Sequence, residues 1–291
     1  MRADRVIGVD LGGTKILAGV IDRDGRVHET VERPTVTTSQ TALLDDLAEV
    51  VRSLPRDGVQ AVGFGIPSRI DQRTGLALGA VNIPLRDVLF RAEMERRLDL
   101  LIAVENDASC AAYAEFHHGA GQGVQNFVML TLGTGVGGGV IAQGSLFQTW
   151  TELGHMVIVE DGEPCAGACS GRGHVEAYCS GRAADKLARE VLGPGASARD
   201  LVQNRHPALE SIGHHLGVAM GSLVNIFGAE RIVVGGGFGV AAFGLLLPAA
   251  RLAVLTEALA PAGQQLEIEC ARLGASAGLI GAGLVAFEAD A

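Results

Sequence analysis

Val6-Ile-Gly-Val-Asp10-Leu-Gly-Gly-Thr14-Lys15 forms the first apolar run of the chain, and the apolar residues 16–21 follow at once. A β-rich run, a glycine turn and a second β-rich run spell a hairpin. Asp22-Arg-Asp-Gly25 then turns the chain into a third strand over 27–31. The pattern returns farther on, with a strand over 126–132, a glycine cluster at 133–139 and a strand over 140–142. Asp10-Leu-Gly-Gly-Thr14 set against Leu132-Gly-Thr-Gly135 is a weak internal similarity that points to two lobes built from related units.

Working outward, residues 41–54 read as a helix with Leu43, Leu44, Leu47, Val50 and Val51 on one face. Residues 61–66 are a buried strand stopped by Pro67, and 101–104 are a short strand leading to Glu105-Asn106-Asp107. The Asp107 carboxylate is expected to cap an Ala-rich helix over 108–117. An apolar helix follows at about 208–227, then a strand over 231–234 that runs into Gly235-Gly236-Gly237. Further helices extend through about residue 259 and over 277–287. Strands and helices alternate, so the class is α/β.

Hydrophobic residues make up 48% and charged residues 19% of the 291 positions, a globular composition. The formal charge of −10 comes without any basic run, which argues against a nucleic-acid partner. No basic stretch precedes a long apolar one, and no run of about 18 uninterrupted apolar residues is present, so the expectation is a cytoplasmic protein with no membrane partner. Five cysteines outside a secretory context do not suggest a disulfide framework.

Two glycine motifs invite misreading. Gly133-Thr-Gly-Val-Gly-Gly138 fits a dinucleotide-binding pattern, but that pattern requires a helix after the glycines, and here a strand follows. A Walker-type loop is excluded because no GxxxxGK[ST] occurs. What remains is a pair of hairpins whose glycine turns expose backbone N–H groups able to wrap phosphates, with Thr14 and Thr134 adding hydroxyls.

Taken in order, Asp10-x-Gly-Gly-Thr14, Glu105-Asn-Asp107, Leu132-Gly-Thr-Gly135-x-Gly-Gly-Gly139, Glu152-Leu-Gly-His155 and Gly173-His-Val-Glu176 resemble the ROK family across essentially the whole chain. The family holds bacterial glucokinases, other sugar kinases and sugar-responsive repressors. The resemblance implies a two-lobed actin-like ATPase (ribonuclease H-like) fold, with duplicated β-β-β-α-β-α units and mixed sheets. It implies a small lobe over 1–108, with the C-terminal helix 276–291 packing back on it, and a large lobe over 109–275. It also implies ATP-dependent phosphorylation of a hexose, with glucose first, Asp107 as general base, and Asn82, Asn106, Glu152, His155 and Glu176 contacting the sugar. Gly12, Gly13, Thr14, Lys15, Gly133, Thr134 and Gly135 would face the phosphates, Gly235, Gly236 and Gly237 the adenosine and α-phosphate, and Asp10 a water-held Mg²⁺. A homodimer is the family default.

His155, Cys165, Cys169 and His174 fall close together near 155–176, and such a cluster in a chain read as cytosolic suggests structural Zn²⁺. The family usually combines one His with three Cys, whereas here a His stands last and the cysteines are spaced wider. One His155 nitrogen on the metal would leave the other for a sugar hydroxyl. Cys110, Cys179 and Cys270 read as core thiols. The run 145–151 is shorter than the family's loop by about four residues. Other sugars, a sugar-sensing regulator and polyphosphate as donor are the rival readings. The regulator would need a DNA-binding helix-turn-helix ahead of the first glycine hairpin, and only nine residues precede Asp10.

Overall fold

Alternation decides the first strand. In β1 (Arg5–Leu11), Ile7, Val9 and Leu11 enter one hydrophobic core, while Val6, Gly8 and Asp10 turn to the opposite face of the sheet. The computed structural model describes residues 4–165 and 169–289 and divides into two compact units. The first unit runs through Gly119 and takes in Leu146–Trp150 and the chain from Ala275 onward. Its sheet is completed by β2 (Lys15–Asp22), β3 (Val27–Pro34), β4 (Val59–Ile66) and β8 (Leu101–Asn106), in the order β3-β2-β1-β4-β8. The first three strands are antiparallel neighbours, and β1, β4 and β8 are parallel.

A small antiparallel sheet of β5 (Ile70–Asp71), β6 (Leu76–Gly79) and β7 (Arg86–Leu89) is inserted between β4 and β8. Leu43, Leu44 and Leu47 of α1 (Gln40–Arg52) and Phe90 and Met94 of α2 (Phe90–Leu98) fill the core on one side of the main sheet. On the other side lies α3 (Asp107–His118), together with the final helix.

The second unit covers Ala120–Ser145 and Thr151–Gly274. The strands β9 (Phe127–Leu132), β10 (Val136–Ala142), β11 (Ser145–Leu146), β12 (Arg231–Gly235) and β13 (Glu267–Cys270) lie in the order β11-β10-β9-β12-β13. β9 and β10 are antiparallel, and β9, β12 and β13 are parallel. The strand order of the first unit is thus repeated, and the weak internal similarity of sequence has a structural counterpart. Its helices are α4 (Val175–Cys179), α5 (Gly181–Leu192), α6 (Ala198–Gln203), α7 (Leu209–Phe227), α8 (Gly237–Glu257) and α9 (Ala262–Gln265). The chain closes with α10 (Ala277–Ala289), which belongs to the first unit and is buried along its length.

Several expectations shift. α3 clusters with the first unit, so the break comes after Gly119 and not after residue 108. Only 133–135 of the second glycine cluster form a turn; Gly137, Gly138 and Gly139 are strand residues, paired with Thr131, Leu130 and Met129. Cys110 and Cys179 are core thiols, but Cys270 is only half-buried. Among the described helices, α8 alone is long and apolar enough to cross a membrane, with Arg251 interrupting its apolar run. Here its glycine-matched side packs on α7, where the carbonyl groups of Leu246 and Ala250 lie against Gly213 and Gly217.

Candidate active site

In the first unit three parallel strands end at one edge. Asp10 on β1 pairs in register with Gly65 on β4, and Ile66 pairs with Asn106 on β8. The carboxyl ends of parallel strands are where α/β proteins hold ligands. Asn106 caps α3: its Oδ1 accepts from the N–H groups of Ala108 and Ser109 at 2.9 and 3.2 Å. This corrects the sequence expectation, because β8 runs to Asn106 and leaves Asp107 inside the first turn. The cap position requires an extended backbone, and Asn106 has it at φ −65°, ψ 143°. Asp107 keeps a local hydrogen bond, its Oδ1 accepting from the Ala108 N–H at 2.9 Å.

Asp10 is half-buried, and its pKa is pushed up to about 7, first by loss of hydration and then by the nearby Asp107 charge, with Lys15 opposing. Glu105 is buried and also rises to about 7, again mainly from loss of hydration. Its Oε1 accepts from the Asn106 N–H and its Oε2 from Gln72 Nε2, both at 2.7 Å. Asn106 Nδ2 reaches the Ser68 carbonyl at 3.4 Å. Ser68 and Gln72 therefore support the Glu105–Asp107 turn. The sequence reading missed both, and the available signal was a pair of polar residues just past the Pro67 strand stop.

The first glycine turn is closed by Gly12 N–H donating to the Lys15 carbonyl at 2.9 Å. Thr35 holds it from outside, donating its hydroxyl to the Gly12 carbonyl at 2.8 Å and its N–H to the Thr14 carbonyl at 3.0 Å. Asn82 is exposed beside this turn; a Cβ added at Gly13 would stand 3.4 Å from its Cβ. Lys15 reaches across to Glu32 on β3 in an exposed pair at 2.8 Å, a contact worth little on its own.

The second unit has its own strand-end constellation. Gly235 pairs with Thr131 across parallel strands, so the turns at 133–135 and 235–237 leave the same edge of the sheet. Gly133 N–H donates to the Gly135 carbonyl at 2.9 Å, and Gly181 N–H donates to the Gly133 carbonyl at 2.7 Å. Thr134 is exposed at the tip. Glu176, in the first turn of α4, accepts from the Val136 N–H at 2.9 Å, and a Cβ on Gly135 would come within 2.3 Å of that carboxylate. One oxygen of Glu176 therefore braces the turn. Gly236 adopts φ 78° against the Leu132 backbone, and Gly237 begins the 21-residue α8, whose positive end suits an anion.

Glu152 precedes the short 3-10 turn Leu153–His155, and its carbonyl accepts from the His155 N–H at 3.0 Å. His155, Cys165, Cys169 and His174 offer ligand atoms that all lie within 4.8 Å of one another. His155 Nδ1 is 3.2 Å from His174 Nδ1 and 3.8 Å from Cys165 Sγ, and Cys169 Sγ is 3.6 Å from His174 Nδ1. A tetrahedron with Zn–N of about 2.1 Å and Zn–S of about 2.3 Å has edges of roughly 3.3–3.8 Å, close to these three separations and shorter than the 4.8 Å spread by about 1 Å, so the donor set is compatible with zinc. Nδ1 of His155 faces the cluster. Residues 166–168, within the cysteine run, lie outside the described residues.

The model of the ROK family matches residues 6–289. A glucokinase from Streptomyces coelicolor is 32% identical over 315 aligned positions, covering 98% of each chain. Among solved structures, a ROK hexokinase from Thermus thermophilus is 33% identical with a TM-score of 0.84 and 98% of each chain covered. A ROK glucokinase from Streptomyces griseus, in complex with glucose and AMPPNP, is 30% identical with a TM-score of 0.81, covering 98% of this chain and 99% of that one. The repeated mixed sheets are those of the actin-like ATPase fold that these kinases share. Motif order, strand topology and similarity over the whole length agree, and the chain belongs to the ROK family.

Proposed function

We propose that the chain is an ATP-dependent hexose kinase whose acceptor is the 6-hydroxyl of glucose. The observation that carries this reading is the carboxylate pair at the strand ends of the first unit, where Asp107 heads α3 close enough to Asp10 to raise its pKa. The similarity to glucokinases supports glucose as the acceptor. The hydroxyl oxygen bonds to the γ-phosphorus, the bond from that phosphorus to the bridging oxygen breaks with its electron pair leaving on ADP, and the hydroxyl proton passes to Asp107. Asn82, Asn106, Glu152, His155 and Glu176 orient the sugar. The turns at Gly12–Lys15 and Gly133–Gly135 point backbone N–H groups at the phosphates, and the Gly235–Gly237 turn serves the adenosine and α-phosphate.

Asp10 is the residue that would hold Mg²⁺ through water, a cation that neutralises charge on the transferring phosphoryl group. His155, Cys165, Cys169 and His174 would hold structural Zn²⁺, which leaves Nε2 of His155 for a sugar hydroxyl. The reading includes a cytoplasmic homodimer, to be checked by light scattering of the purified protein.

Coupled ADP detection across glucose, N-acetylglucosamine, N-acetylmannosamine, fructose and allose tests the substrate, with glucose expected to give the highest kcat/KM. Asp107→Asn should keep the fold and lose roughly 10²–10⁴-fold in kcat. A variant near the wild-type rate would refute the mechanism, and a different best sugar would refute only the choice of acceptor.

A further inference from the structure

On the helix-facing side of the first unit's sheet, β1 and β4 present Gly8, Asp10, Gly63 and Gly65, because alternate residues of a strand share a face. α10 lies directly on this surface. A Cβ added at Gly8 would stand 2.2 Å from the Leu279 carbonyl oxygen, and one at Gly63 would stand 1.8 Å from that of Ala282. Seen from the helix, a Cβ at Gly281 would be 1.8 Å from the Cys110 carbonyl oxygen on α3. Backbone therefore meets backbone along α10, which seats directly on the sheet and on α3 with no side chain between them.

At the first turn of α10 the same seating meets a side chain. A Cβ at position 278 would lie 2.7 Å from both Cγ and Oδ2 of Asp10 and 2.9 Å from Oδ1. Non-bonded heavy atoms are comfortable at roughly 3.5–4.0 Å. The carboxylate belongs to a short side chain on a central strand, so it can yield only by rotating out of its place beside Asp107. Gly278 is not among the residues with positive φ, so its backbone does not call for glycine. Alanine would favour the helix by about 1 kcal/mol. What glycine supplies at 278 is space.

We infer that Gly278 is a positioning residue for phosphoryl transfer: α10 forms the rear wall of the Asp10 carboxylate, and only glycine at 278 lets that carboxylate keep its orientation. The inference rests on the kinase reading above for the role of Asp10, and it acts through Asp10 alone.

The test is a double-mutant cycle on the full chain, with Gly278→Ala, Asp10→Ala and the pair, and Gly244→Ala as control. Gly244 lies within α8 with nothing near its missing Cβ. Gly278→Ala should lower kcat by roughly 10–100-fold and raise the Mg²⁺ concentration for half-maximal rate, with the hexose KM within about twofold of wild type. In the Asp10→Ala background the same substitution should cost no further activity and should raise the thermal midpoint, because the carboxylate that the methyl would strike is gone. Gly244→Ala should match wild type in kcat and Mg²⁺ dependence and raise the thermal midpoint only by what helix propensity supplies.

Wild-type kcat and Mg²⁺ dependence in Gly278→Ala would overturn the inference, and so would losses that simply multiply in the double variant. If Gly278→Ala folds poorly, the stability cycle decides: rescue by Asp10→Ala supports the wall, and its absence refutes it. Should the wild-type chain phosphorylate no hexose, the kinase reading falls, while the stability cycle still reports whether 278 and Asp10 are coupled.

Discussion

Asp10, half-buried, and Glu105, buried, stand at the carboxyl ends of β1 and β8, and each is held at a pKa of about 7 where carboxyls ordinarily titrate near 4. The folded chain therefore binds more protons than the unfolded chain between those values. Stability tied to these groups is greatest below the ordinary value and is lost as pH rises through about 7. Unfolding free energies from urea titrations at pH 5 to 8 without ligands should fall with pH, by on the order of 5 kcal/mol for the two groups together, and Asp10→Asn should flatten much of the slope. Activity should run the other way. If ionised Asp10 supports the metal-assisted step, the rate rises through about pH 7, and added Mg²⁺ moves that limb to lower pH. A flat stability profile shared by wild type and Asp10→Asn would show that this carboxyl is already ionised in the folded state.

Glycine does two kinds of work in the secondary-structure elements, and only one of them is legible in sequence. Gly12-Gly13 and Gly133–Gly135 are turns flanked by β-rich runs, so hairpin signals revealed them and, through their repetition, the duplicated fold. Gly8, Gly63 and Gly278 sit inside regular elements, where nothing local distinguishes a glycine kept for space from one merely tolerated. The partner that needs the space lies far away in the chain. The same holds for Glu105 and Asn106, whose respective partners Gln72 and Ser68 come from a different strand connection. The capping residue was misplaced by one because the strand before it ran two residues longer than its apolar run.

The helix pair α7 and α8 puts this second kind to the test. Gly213, Gly217 and Gly221 recur every four residues on the α7 face that meets α8, and a Cβ at Gly217 would stand 2.3 Å from the Ala250 carbonyl oxygen. Gly217→Ala gains about 1 kcal/mol of helix propensity but forces two packed backbones apart. The net expectation is a loss of roughly 1–3 kcal/mol by chemical denaturation, since overpacking costs that much or more. A stabilised variant would mean that the two helices separate easily.

At the scale of the molecule, the described residues form two hydrophobic cores that share none of them, one built around β1, β4 and β8 and the other around β9, β12 and α7. Leu153, Val175 and Cys179 belong to the second core and flank His155 and His174 in sequence, so the proposed metal cluster is tied to that core. The single tryptophan, Trp150, clusters with the first unit and donates its indole N–H to the Ile70 carbonyl at 3.1 Å. Tryptophan fluorescence therefore reports the first unit, whereas circular dichroism reports helices of both. A ligand that binds only the folded form adds RT ln(1 + [L]/Kd), about 3–4 kcal/mol at 100–1,000 times Kd. Stripping zinc with a chelator should therefore lower the dichroism-detected transition while the tryptophan-detected midpoint moves much less, and Cys169→Ser should reproduce that separation without chelator. Metal analysis after dialysis should find about one zinc per chain in the wild type, as a single four-ligand site holds one ion. Metal-free protein whose two transitions coincide with those of the untreated sample would remove zinc from the account of this fold.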